Sequence, residues 1–131
     1  MPLRTYVEAK MLISQDNAAN PQEPTFNSGS KNFTDTTNYN ESSGLTFDVP
    51  AGATDLQVSM GSIAIAEILY LMAKGDGLSV KLVPHGELLA DTLGYEMLTG
   101  VPAIIPFKVI GIYVSNSDTA AHKLVIGAAG N

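Results

Sequence analysis

From residue 45 onward, apolar and polar positions alternate with a period of two. Leu45, Phe47 and Val49 are separated by Thr46 and Asp48, and Pro50-Ala-Gly52 ends the run. Leu56, Val58 and Met60 alternate with Gln57 and Ser59, and Leu78, Val80 and Leu82 alternate with Ser79 and Lys81. That spacing sends every second side chain to one face, which is the pattern of a half-buried strand. The stretch from Ala103 to Val114 is rich in Ile, Val, Phe and Tyr, with Pro106 confining its first part to an edge or a bulge. His122 to Gly127 reads as a last short strand. Gly75-Asp-Gly77, Pro84-His-Gly86 and the cluster Ser115 to Thr119 mark turns. Leu88 to Leu98 is ambiguous. Near the N-terminus, Val7, Ala9, Met11 and Ile13 fall on one side of a further strand within residues 3–13, with Tyr6, Glu8 and Lys10 on the other.

The block Met60 to Ala73 is apolar except at Gly61, Ser62 and Glu67. Ser62 as an N-cap, Lys74 in a last turn and Gly75 after it would frame a helix. Ile63, Ile65 and Ile68 are β-branched, however, and the block runs directly into a tight turn and a clear strand. A strand buried on both faces also reads as a continuous apolar run, and strand is the expectation here.

Residues 14–44 differ in kind. They carry six Asn, five Ser and four Thr, with apolar side chains only at Ala18, Ala19, Phe26, Phe33 and Tyr39. Asn and Ser bond nearby backbone and favour turns. The stretch is expected to be a long surface loop pinned by its aromatics, or an arm lying on a neighbouring subunit. With no βαβ alternation, the fold class is all-β: an antiparallel sandwich or jelly-roll-like domain with a long polar N-terminal loop or arm. The organisation is residues 1–44 as N-terminal strand and arm, and 45–131 as the sandwich body, within a single domain.

Composition narrows the function. The chain has 131 residues, a formal charge of −6 from seven basic and thirteen acidic residues, and no Cys. A disulfide framework and a thiolate nucleophile are excluded. The acidic balance disfavours nucleic acid and anionic membrane as partners. The N-terminus has no basic segment followed by an apolar one, so no signal peptide is expected, and synthesis in a cytoplasm is. Only 15% of residues are charged while 45% are apolar. That balance fits a surface covered by neighbours.

Candidate chemistry is sparse. His85 and His122 are the two histidines, and His122 follows Asp118 by four positions, but no G-x-S-x-G elbow accompanies them. Two isolated His residues cannot hold zinc. Asp35, Asn38, Asn40 and Glu41 are clustered oxygen ligands without the order of a calcium loop. Glu67, inside an apolar block, is the best single carboxylate for a hydrolase, but a strand emerging at a subunit seam, or a pairing with a Lys such as Lys81, explains it better. Tyr70 and Tyr113 sit in apolar runs and are expected in the core. Tyr39 and Tyr95 lie in loop-like stretches where a ring can stack on a sugar. No catalytic, cofactor or metal site is expected.

The strand Leu78-Ser-Val-Lys-Leu82 after a turn, the run Gly111-Ile-Tyr-Val-Ser-Asn-Ser117, and the ending Lys123-Leu-Val-Ile-Gly-Ala-Ala-Gly130 together resemble small β-sandwich virion proteins of tailed bacteriophages. The resemblance covers roughly residues 56–130 and is one of pattern. It implies a non-enzymatic structural role, of the capsid decoration or cement type, within a virion. The implied partners are copies of the chain itself, as a homo-oligomer such as a trimer, and a major capsid or other virion protein. The contact residues expected on the N-terminal strand and arm are Arg4, Tyr6, Phe26, Phe33 and Tyr39, with strand addition by residues 3–13. The alternative is a carbohydrate- or receptor-binding sandwich at a tail or fibre tip, using Tyr39 and Tyr95.

Overall fold

The computed structural model describes residues 5–9, 12–13, 26–27, 31–35 and 41–131, with side chains from Thr46 onward. The chain divides into two units, residues 1–38 and 39–131.

In the first unit, β1 (Thr5–Ala9) pairs antiparallel with β4 (Lys31–Asp35), and β2 (Leu12–Ile13) with β3 (Phe26–Asn27). Residues 5–9 and 12–13, expected on one strand, pair with different partners, β4 and β3. The polar stretch contributes strands of its own, and its aromatics Phe26 and Phe33 lie on them. Asn and Ser content hid these strands, because the ladder is made by backbone groups that any residue supplies.

Among the described residues the second unit holds eight strands: β5 (Glu41–Val49), β6 (Leu56–Val58), β7 (Ala66–Ala73), β8 (Leu78–Pro84), β9 (Tyr95–Glu96), β10 (Ala103–Ile105), β11 (Val109–Asn116) and β12 (His122–Gly130). Within the block 62–74 the strand is β7, Ala66–Ala73; of the three β-branched residues Ile68 lies on it, while Ile63 and Ile65 precede it. Strand β5 pairs with β12, β6 with β11, β7 with β10 and β8 with β9, all antiparallel. The first strand thus meets the last, the second the next to last, and so inward. A long hairpin of that kind, rolled up, is a jelly roll. The rolling adds β12 to β7 and β11 to β8, giving layers in the order β5-β12-β7-β10 and β6-β11-β8-β9.

The layers join where β7 meets β11 at the pair Ala66–Val109. Both strands shift register beside this junction. Glu67 is skipped between Ala66 and Ile68 opposite β12, and Ile110 between Val109 and Gly111 opposite β8. Bulges are the devices by which strands bend from one layer into another. Gly130 is needed there, since a Cβ would collide with the Ile65 carbonyl oxygen.

Alternate residues fill the space between the layers. Leu69, Leu71, Leu124 and Val49 come from one layer, and Leu78, Ile112 and Val114 from the other, all essentially without exposure. Tyr70 and Tyr113 lie between these inward positions and are half-buried on the outer faces, not in the core. The period of two that placed their neighbours inside places them outside.

Candidate apolar docking edge

Strands β9 and β10 close the two layers along one side and are only two and three residues long. Between β8 and β10 the chain otherwise forms turns and a 3-10 turn at Leu89–Asp91. Its apolar side chains therefore lack a second layer to cover them. Leu88, Leu93, Tyr95 and Leu98 are 67–72% exposed, and Val101 and Phe107 about half exposed. All the large, strongly exposed apolar residues among those described lie between Leu88 and Ile110.

A cavity of about 710 Å³ opens in this edge. Val80 and Leu82 of β8, Ile105 of β10, and Leu93, Tyr95 and Phe107 give its apolar walls, while His85, Glu87, Asp91 and Thr92 supply its polar part. Its size is that of a pocket for a small ligand or for one or two large side chains. A second hollow of about 240 Å³ shares Val80, Leu82, Tyr95 and Ile105 and continues to Leu98 and Val101. The two form one trough along the open side of the sandwich. Local bonds hold its loop: the Glu87 N–H donates to the Pro84 carbonyl, the His85 N–H to the Lys108 carbonyl, and the Thr92 hydroxyl to the Leu88 carbonyl.

The lysines that border this segment are occupied. Lys81 lies 3.0 Å from Asp55, and Lys108 is 3.8 Å from Glu67. Lys81 is thus not the partner of Glu67. The bulge turns Glu67 outward, half-buried, to Lys108. Asp55 itself sits at φ 44° in the turn before β6, its N–H donating to the Ser115 hydroxyl. No group of three or more metal-ligating His, Asp or Glu occurs among the described residues. Asn38 and Asn40 of the oxygen-ligand cluster lie outside them.

His122 and Asp118 do meet, Nε2 to Oδ2 at 2.6 Å. The hydrogen bond from His122, and then that from the Thr119 N–H, hold the Asp118 carboxyl below the usual carboxylate range. The other ring nitrogen packs against Gly75, where a Cβ would collide with it. The pair is thus a clasp across the β11–β12 turn, and the hydroxyl it meets, that of Thr119, donates to the carboxylate at 3.5 Å. Beneath it Asn116, 1% exposed, donates to the Val49 and Ala120 carbonyls and accepts from the Asp118 N–H.

Of the expected contact residues, Arg4 and Tyr39 lie outside the described residues. Tyr6, Phe26 and Phe33 are placed by backbone alone, on β1, β3 and β4. Tyr6 pairs with Thr34 and Phe33 with Val7, so they occupy adjacent rungs of one ladder. That ladder already gives residues 5–9 a partner strand within the chain. The exposed edge at 88–110 was missed by sequence reasoning. Its one signal was the ambiguous run Leu88 to Leu98, apolar without the period of either element.

No family model matches the chain. No curated protein matches it either. Among solved structures, the chain is similar to the Schizosaccharomyces pombe Cnp3 cupin domain, at 15% identity and a TM-score of 0.42, over 96% of this chain and 84% of that one. The jelly-roll assignment stands on the strand pairings above.

Proposed function

We propose that the protein is a non-enzymatic structural component of a bacteriophage particle, of the capsid decoration or cement type, acting through protein–protein contacts. The observation that supports this reading best is the edge at residues 88–110. Soluble monomers rarely leave so many large apolar side chains together in water, and such patches mark contact sites. The low charge of the chain and the pattern of its C-terminal strands agree with it. In this reading the N-terminal unit, with Arg4, Tyr6, Phe26, Phe33 and Tyr39, makes contacts between copies, as in a trimer. The body's apolar edge faces another virion protein.

The test is to band particles from lysates of the source and probe each band with antibody to the purified chain. The expected result is a fixed ratio of this chain to the main shell protein. Absence from every particle band would overturn the proposal. The second reading, a sugar-binding sandwich, is favoured by one observation, the exposed Tyr95 on the cavity wall. It predicts quenching or shift of tyrosine fluorescence by oligosaccharides, lost in Tyr95→Ala.

A further inference from the structure

The 88–110 edge carries a charge that says what covers it. From Leu82 to Phe107 the sequence has three carboxylates, Glu87, Asp91 and Glu96, and no Lys or Arg. Glu87 and Asp91 line the cavity and Glu96 the adjoining hollow. Of the flanking cations, Lys81 is bonded to Asp55 at 3.0 Å, and Lys108 lies 3.8 Å from Glu67. Lys123 is held by Asp48 at 3.1 Å. Residues 39–131 contain one further lysine, Lys74, two positions from Asp76, and no arginine. The trough is therefore apolar in its walls and negative at its rim.

A second copy of this body is a poor occupant. In a two-fold contact the same patch faces itself, so three carboxylates would meet three carboxylates. Like charges brought together at an interface suppress the wrong partner. For a head-to-tail contact the body has four lysines and no arginine to offer. The complement is an apolar segment flanked by lysine or arginine. Its large side chains would fill the cavity and its cations would sit by Glu87, Asp91 and Glu96.

We infer that the trough is the docking site for an apolar, basic-flanked segment of a different protein, and that a second copy of the 39–131 body does not fill it. The inference rests on the structural role proposed above and names the chemistry of the partner.

The probe is a pair of capped, fluorescent peptides, Lys-Leu-Leu-Phe-Leu-Leu-Lys and its analogue with Glu at both ends, titrated against the full chain. Anisotropy gives affinity and amide NMR shifts give the location. The basic peptide binds about threefold to tenfold tighter than the acidic one, the range set by a few exposed ion pairs. The difference shrinks with salt. The Glu87→Gln, Asp91→Asn double variant also shrinks it. Leu93→Ser, at a side chain 71% exposed whose loss leaves the core intact, weakens both peptides without changing the light-scattering mass.

Equal binding of the two peptides overturns the inference, as do shifts outside residues 80–107. A fall in the mass of an oligomer on Leu93→Ser would assign the trough to a second copy instead. The two proposals fail separately. A chain that takes the basic peptide here but never bands with particles contradicts the structural role alone. A chain that bands with particles but treats both peptides alike contradicts the site alone.

Discussion

Asn116 is the buried polar residue among those described, and three hydrogen bonds converge on it at the β11–β12 corner. Replacing it by Leu keeps the volume but leaves the Val49 and Ala120 carbonyls and the Asp118 N–H without that partner. A loss of about 2 kcal/mol is expected, seen as a fall of several degrees in Tm. The clasp beside it is sensitive to pH. The Asp118 carboxyl is held below its ordinary value in the folded chain, so its contribution is complete above the unfolded value and disappears as pH falls through the folded one. The Tm gap between wild type and Asp118→Asn should close as pH falls below about 4. A gap that persists well below that range would contradict the assignment. At this scale the sequence showed that Asp118 and His122 were four apart. It did not show that Asn116 lay beneath them, because a lone Asn in a turn cluster reads as a turn former until the strands on both sides are placed.

Strands β5, β6 and β8 were legible in period two because each has one buried and one outer face, whereas β7 and β11 were legible only as apolar, β-branched runs. The bulges were not legible, and they decide what Glu67 is. An acidic residue in an apolar run suggested a buried, perturbed carboxylate. The skipped register position at Glu67 instead turns it out to Lys108. The bulge also depends on Gly130, which lies against the Ile65 carbonyl. Gly130→Ala is expected to force the end of β12 off β7 and lower Tm by several degrees, more than Gly127→Ala, whose added Cβ meets only ordinary contact with Tyr70. The N-terminal boundary is tested in the same way. β5 begins at Glu41, and Glu41 to Gly44 pair with Gly127 to Gly130. A chain lacking residues 1–38 is therefore expected to keep its β-sheet circular dichroism, whereas one lacking 1–44 loses four rungs of β5 and melts at a lower temperature. Equal melting of the two would show that those rungs contribute little.

In the second unit, the nested pairings roll an ordinary hairpin into a jelly roll whose short strands β9 and β10 leave one side open. Pattern reading found the architecture but not that opening, since the segment that forms it has neither period. Its exposed apolar residues and unbalanced carboxylates are what the proposed structural role and the proposed partner explain together. The absence of Cys gives a direct test. Leu98→Cys places one thiol on a side chain that is 72% exposed in the free chain. Its maleimide labelling should be rapid in the purified protein and slower by about tenfold or more when the chain is bound in particles, because burial at the contact must open before reagent enters. Equal labelling rates in the free and particle-bound states would contradict the claim that this edge is where the protein is held.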